Sequence, residues 1–378
     1  MKTTDLNIAS TKRTFFAISA FGFCILLGVL TINGAMYQLF RTMWNQRFSD
    51  GSLRHNVYTG FAAVDYLIAM PVGFWTPAIT QYPALKLQSV VLYPALQSLA
   101  AWASVEGFRR SGNKPLMLRL APLSVFVWMW LGTGVFMGLF CYYDLFFHFY
   151  STRTSDNLPS VPYHYAVSLP FASALAYIWP YILIHFPPAG MTSAQHQQVI
   201  AINQFGSIFC YLLVAGGASF VSSNHTDRTP RSRNADISWI QGTYALFGLF
   251  SALVHLASIG TILRSDNPGV SLSKVFIPSF GDMLGTDHSK SVMMAPEVHF
   301  FLQWDFTLFV LITAIWSTRV IEIMYPHIGS NNSARSSALI FFFSVAGYLI
   351  NPGAILSVIL YIREGFLRNE DSNKDKSN

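Results

Sequence analysis

The chain has 378 residues, of which 52% are hydrophobic and only 11% charged, with 32 Phe, 17 Tyr, 9 Trp and a formal net charge of +6. An ordinary soluble domain carries roughly 25% charged residues, so this composition excludes one and indicates a multispanning membrane protein. The positive charge is spread over loops and termini, which argues for membrane topology and contact with membrane lipid and against a nucleic-acid partner.

In chain order, about nine apolar runs approach the ~20 residues that cross a bilayer. They fall near 14–32, 61–79, 88–104, 120–143, 164–186, 201–221, 242–262, 299–317 and 337–362. The third is short and the second holds Pro71 and Pro77, so the count drops to eight should one of them not cross. The expected fold is all-α, a polytopic transmembrane helix bundle over 14–366, after an N-terminal tail at 1–13. The first run has no small-residue cleavage site behind it and reads as a retained span. Met36, Phe40, Met43, Trp44 and Phe48 recur at helical spacing, which predicts a helix near 36–48 lying in the membrane interface. The connection 263–298 contains Asn267, Pro268, Gly269, Pro278 and Gly281, a turn-rich composition that suits either a lid over an opening or an irregular excursion. Residues 367–378 are polar and read as a disordered tail.

Cys24, Cys141 and Cys210 each lie inside an apolar run without a CxxC pairing, so neither a disulfide framework nor a metal site is indicated. A small Lys/Arg excess on the side of the odd loops and C-terminus favours a cytoplasmic C-terminus. Acceptor sequons at Asn224 and Asn331 fall in even loops, where glycosylation would mark the lumenal side of an endomembrane such as the endoplasmic reticulum.

The residues that carry chemistry are the ionisable ones inside these runs. Met293 to Trp316 opens as a helix, with Pro296 early and Glu297 at the positive end of its dipole, then runs mainly apolar with Gln303, Trp304 and Asp305 inside the run. A charged side chain at the bilayer centre costs about 2.5–3.5 kcal/mol on insertion scales, and such residues usually mark function. Glu297, Phe301 and Asp305 follow an i, i+4, i+8 spacing, which puts two acids and an aromatic along one side of the helix. Asp65 sits a turn inside the second run with Thr76 on nearly the same face, Tyr93 and Gln97 share a face of the third run, and His255 interrupts the seventh. In a nine-span threading Asp65, His255, Glu297 and Asp305 share one half of the membrane, a condition for one shared site.

Each has a plainer reading. Asp65 can serve as a helix-to-helix hydrogen-bond partner or a hydrated boundary acid, Glu297 as a dipole complement, and His255 as a packing histidine. Glu106, three and four residues before Arg109 and Arg110, suits interfacial ion pairing. Asp144 reads as a boundary residue.

An acid in an apolar pocket can keep its proton at neutral pH and donate it, as opening an epoxide or protonating an alkene requires. Aromatic faces stabilise the carbocation that follows, provided water is excluded. There is no DDxxD, NDxxD, NSE or DxDD cluster for diphosphate ionisation or soluble-type cyclisation. No GxGxxG, Walker loop, HExxH or GxSxG appears either, so neither a metal nor a cofactor is expected.

The stretches GFAAVDYLIAMPVGFW and EVHFFLQWD, together with the size and span pattern, resemble the fungal integral-membrane terpene cyclases of meroterpenoid biosynthesis, of the ascochlorin and macrophorin type. The resemblance implies a lipophilic prenylated substrate, a farnesyl-type chain on an aromatic or cyclohexenone head. Protonation of its terminal epoxide or of an alkene would start ring closure. Asp305 or Asp65 would then be the initiating acid, and Glu297 or His255 would relay or accept protons. Trp75, Tyr93 and Trp304 would line the cation path, with Gln97, Phe301 and Gln303 also facing the substrate. The competing expectation is a proton-coupled transporter of a lipophilic small molecule.

Overall fold

Proline and glycine set most of the helix boundaries. A computed structural model describes residues 2–110, 114–150, 160–224, 234–284, 292–329 and 333–375. The described residues are helical apart from loops and one isolated β-bridge between Arg47 and Leu53. Helix α1 (Lys2–Gly22) continues through a π-helical turn at Phe23–Gly28 into Val29–Ile32, and α2 (Ala35–Trp44) follows after Gly34. Next come α3 (Ala62–Thr80), α4 (Pro83–Phe108), α5 (Ala121–Leu131), α6 (Thr133–Leu145), α7 (Tyr163–Ser173), α8 (Ser193–Asn203), α9 (Gly206–Asn224) and α10 (Ile237–Leu263). The chain finishes with α11 (Leu272–Phe276), α12 (Ala295–Met324), α13 (Ser333–Ile350) and α14 (Pro352–Asp375).

Among the described residues, six helices are long and apolar enough to cross a membrane, or seven if α8 and α9, bent by 64°, form one span. That is fewer than the nine runs of the sequence reading. The run at 88–104 lies within α4, whose polar residues Gln88, Gln97, Ser98 and Ser104 turn inward, so a centrally buried helix replaces an apolar one. The run at 120–143 is split by Gly132, whose φ of +89° ends α5 before α6 begins. The run at 337–362 breaks at Asn351, with φ +120°, followed by Pro352, and only its first half passes as a span. Residues read as an N-terminal tail belong to α1, and α14 extends to Asp375 with Arg368 buried, so the polar end is helical where a disordered tail was expected. The loop at 263–298 contains α11 and a helical turn at Phe280–Leu284. Asn331 lies outside the described residues.

Helices α4 and α12 form the centre, with α12 touching α3, α4, α6, α13 and α14. Helix α1 crosses α6 closely: a Cβ on Gly22 would stand 2.7 Å from the Gly134 carbonyl oxygen, and one on Gly138 2.6 Å from Ser19 Oγ. Gly134 and Gly138 are the two ends of a GxxxG pattern, the spacing that lets membrane helices approach backbone to backbone. Arg54 fastens α2 to α3 by donating to the carbonyl oxygens of Leu39 at 3.0 Å and Ala69 at 2.6 Å. Burial pulls its guanidinium down to about 10.

The C-terminal end of α4 is closed by ion pairs. Arg363 bonds Glu106 at 2.7 Å and also Asp144, with its guanidinium 5.6 Å from the Trp102 ring and 5.9 Å from the Trp316 ring. Arg109 pairs with Glu106 at 2.9 Å and with Glu364, while Arg368 joins Glu364 at 2.9 Å to Asp236 at 2.8 Å. His148 stands 2.9 Å from Glu106 and 3.6 Å from Asp144. Glu106, Asp144, Asp236 and Glu364 are thus paired with Arg109, Arg363 and Arg368, and His148 adds a hydrogen-bonding ring nitrogen beside Glu106. Mutual pairing offsets the desolvation that would make each buried charge alone strongly unfavourable. Lys114 donates to the Glu106 and Gly107 carbonyl oxygens at the end of α4, and burial lowers its ammonium to about 8 although Glu106 opposes the shift.

Candidate functional site

Helix α12 presents different clefts on its two sides. Phe301, Leu302 and Asp305 face an apolar cavity of about 70 Å³. Its remaining wall comes from the end of α1's continuation, from α2 and α3, and from the Trp128-to-Thr133 stretch around the α5–α6 break. Asp305 is 3% exposed, and its Oδ1 accepts from the Gly134 amide at 2.7 Å. The carboxylate therefore sits at the start of α6, where unpaired helix amides favour an acceptor. Gly132 makes this possible. A Cβ there would stand 2.8 Å from Phe301 and 2.9 Å from Leu26, so both its left-handed conformation and its lack of a side chain are used.

The cavity is aromatic. Phe74 and Phe301 meet edge to face with centroids 4.9 Å apart, and Trp75 packs edge-on to Tyr93 at 4.7 Å. Trp75, Trp128 and Trp130 each contribute a buried indole N–H that has no partner among the described residues. Aliphatic Leu27, Leu30, Leu39 and Met70 fill the rest. The arrangement combines an acid, ring faces and unused donors around one mainly apolar space.

Beyond Leu96 and Met129, which line both spaces, lies a second cavity of about 30 Å³ lined by Tyr93, Gln97, Tyr177, Asn203 and Gln204. Tyr93 OH accepts from Asn203 Nδ2 at 2.7 Å, and Gln97 Nε2 donates to the Tyr177 carbonyl at 2.6 Å. Of the residues named from the sequence, then, Asp305, Trp75 and Phe301 share one cavity, and Tyr93 and Gln97 line its neighbour.

The others lie elsewhere. Asp65 is buried in the first turn of α3, and its Oδ1 takes the Thr59 amide at 2.6 Å, the Thr59 hydroxyl at 2.8 Å and the Tyr58 amide at 3.1 Å. Its Oδ2 takes the Gly60 amide at 3.0 Å, so both oxygens fasten the loop that leads into its own helix. His255 Nε2–H donates to the Tyr348 carbonyl at 2.9 Å, and its ring stacks on Phe306 beside the Asn351 break. Glu297 is buried in the first turn of α12 and is not part of the Asp305 cavity wall. Gln303 donates to the Lys274 carbonyl at 2.8 Å and so ties α11 to α12. It faces an open cleft of about 1030 Å³ bounded by His299, Phe300 and the 263–298 connection. Trp304 packs among Phe21, Phe280 and Phe300. The larger cleft is more polar and open, and Asp305 is not among its walls, so the smaller cavity is the better candidate for acid chemistry.

Sequence reading missed Trp128, Trp130, Asn203 and Gln204. The dense aromatic run before Gly132 was the available signal for the first two. It also missed the Arg363 network, although Glu106 and Asp144 had both been noticed separately. Glu106, Asp144 and His148 bring ligand atoms within 4.8 Å of one another, the spacing of a metal trio. Arg363 already bonds both carboxylates there and supplies the positive charge that such a cluster needs.

Fold and cavity together define the class: among the described residues, a helical bundle with several helices long and apolar enough to cross a membrane, built around an aromatic cavity that holds the Asp305 carboxyl. Comparison with known proteins gives the family. The chain belongs to the CtvD domain family, which matches residues 11–366. Among curated relatives, terpene cyclase DEP1 of Fusarium langsethiae is 24% identical over 373 residues, covering 94% of this chain and 98% of that protein. Terpene cyclase ascI of Acremonium egyptiacum is 22% identical, over 78% of this chain and 76% of its own. Terpene cyclase janA of Penicillium janthinellum is 23% identical, over 85% and 84%. No solved structure matches the chain at a comparable level.

Proposed function

We propose that the protein is a membrane-bound terpene cyclase acting on a farnesyl-type chain, with Asp305 as the initiating acid. The carrying observation is the Asp305 carboxyl inside a cavity walled by Trp75, Trp128, Phe74 and Phe301, and the names of the family relatives agree with it. In this reading the carboxyl proton passes to the terminal epoxide oxygen and the tertiary C–O bond opens to a cation and a hydroxyl. Neighbouring alkenes then attack in turn, and loss of a proton ends the sequence. Where no epoxide is present, the same proton adds to an alkene carbon. Ring faces stabilise the positive carbon, and an indole N–H can hold the oxygen as its bond breaks. No metal is needed for a carboxyl to act as a general acid. The cavity is smaller than a farnesyl-type chain, so substrate entry parts its side chains.

The membrane setting of the proposal is an endomembrane with the C-terminus on the cytoplasmic side. Purified protein in detergent, given an epoxyfarnesyl phenol without any gradient, should form a cyclised isomer. Binding with no product would instead favour the carrier reading.

The geometry also separates Asp65 from Asp305. Asp65→Asn should weaken the 58–60 loop and lower stability by about 1–3 kcal/mol, the usual cost of disturbing buried hydrogen bonds. Its folded fraction should cyclise substrate at the wild-type rate, measured by active protein after size exclusion. A folded Asp65→Asn protein that makes no product would return Asp65 to the chemistry.

A further inference from the structure

The second cavity has a feature that packing alone does not account for. Gln97 and Gln204 are 4% and 1% exposed, both line it, and the Oε1 of each is buried without a hydrogen-bond partner. Their amide orientations are set, because each Nε2 donates to a backbone carbonyl: Gln97 to Tyr177 at 2.6 Å and Gln204 to Ile200 at 3.0 Å. Flipping either amide would place oxygen against oxygen. Two buried acceptors are thus left without a donor among the described residues, and such an acceptor is unfavourable enough to be rare. The complementary ligand carries hydrogen-bond donors and little charge, since no ionised side chain lines this cavity.

The two cavities adjoin through Leu96 and Met129, a branched and an unbranched side chain. Methionine has several rotatable bonds and adapts its shape readily, so Met129 is suited to swing aside. Were Met129 to move, the two would join into one cleft, with Asp305 on the wall of one chamber and the two glutamines on the wall of the other.

We infer that the Gln97–Gln204 chamber binds the hydroxyl-bearing head of the substrate, with the prenyl chain running past Leu96 and Met129 so that its far end meets Asp305. This rests on the cyclase reading for the identity of the chain and adds the head-group site, its chemistry and the direction in which the substrate lies. A hydroxyl donates one proton to either glutamine oxygen. An ether at the same position has no proton to give.

The test compares an epoxyfarnesyl phenol with its O-methyl ether on purified wild-type, Gln204→Met and Gln97→Met proteins in detergent. Binding is read by quenching of tryptophan fluorescence and turnover by product formation. Wild type should bind the phenol roughly tenfold more tightly than the ether, the effect of one net hydrogen bond. Gln204→Met should lower that ratio, and the double variant Gln97→Met with Gln204→Met should bring it close to one, each leaving the affinity for the ether unchanged. Gln97→Met also frees the Tyr177 carbonyl, so it serves as the second variant should Gln204→Met fail to fold. Equal binding of phenol and ether by wild type, or an unchanged ratio in the folded variants, overturns the head-group assignment. Selective binding without product overturns the cyclase reading and leaves the head-group chamber standing, so the two failures are distinguishable.

Discussion

Asp305→Asn should lower cyclisation at least a hundredfold while the protein stays folded. The loss follows from removing a general acid, whose contribution is typically 10²–10⁴ in rate. Asparagine matches aspartate in shape and keeps an oxygen that can accept from the Gly134 amide, now 2.7 Å from Asp305 Oδ1. The start of α6 should therefore remain capped, and thermal unfolding in detergent should change little. Asp305→Leu removes that cap as well, so it should lose both activity and stability. Undiminished product from the folded Asn variant would take Asp305 out of the mechanism and leave it as a helix cap from a neighbouring chain segment.

The largest expected effect on stability is that of Arg363→Met. This change leaves the fully buried Glu106 and Asp144 short of the guanidinium that bridges them, and it removes the cation packed against the Trp102 and Trp316 rings. Breaking one side of a buried ion pair costs about 3–5 kcal/mol because the remaining charge keeps its desolvation penalty. The unfolding midpoint in detergent should fall sharply and the yield of folded protein with it. Arg363→Lys should rescue little, since an ammonium cannot reproduce the planar fork that reaches two carboxylates while packing against the contacting Trp102 and Trp316 rings. A Met variant as stable as wild type would mean that the network is dispensable to the fold.

How far the sequence foretold these features depends on whether the cause was local. The depth of Asp305 in an apolar run and its i+4 relation to Phe301 are properties of a single helix, and the structure keeps both on one wall. The same spacing did not carry to Glu297, because the first turn of α12 packs away from the cavity that opens lower down. Counting apolar length treated each run as one straight crossing. It could not register the left-handed backbone at Gly132 and Asn351, which divides two runs. Asp65 drew attention as a membrane acid, yet its partners are Tyr58, Thr59 and Gly60, a loop just ahead of it in the chain. The ion network was invisible for the opposite reason. Arg109 and Glu364 are 255 positions apart, and only the packing of α4 against α14 turns separate boundary charges into one cluster.

Helix α4 connects two regions of opposite character. At about 1.5 Å per residue its length is roughly 39 Å. Near Pro83 it borders the open cleft beneath the 263–298 connection, and near Phe108 it ends in the matched charges around Arg363. Separating those charges would expose several ions at once, so that end behaves as a fixed anchor. On the cyclase reading, loosening that admits a bulky lipophilic substrate is then easier at the Pro83 end of α4 than at the Phe108 end.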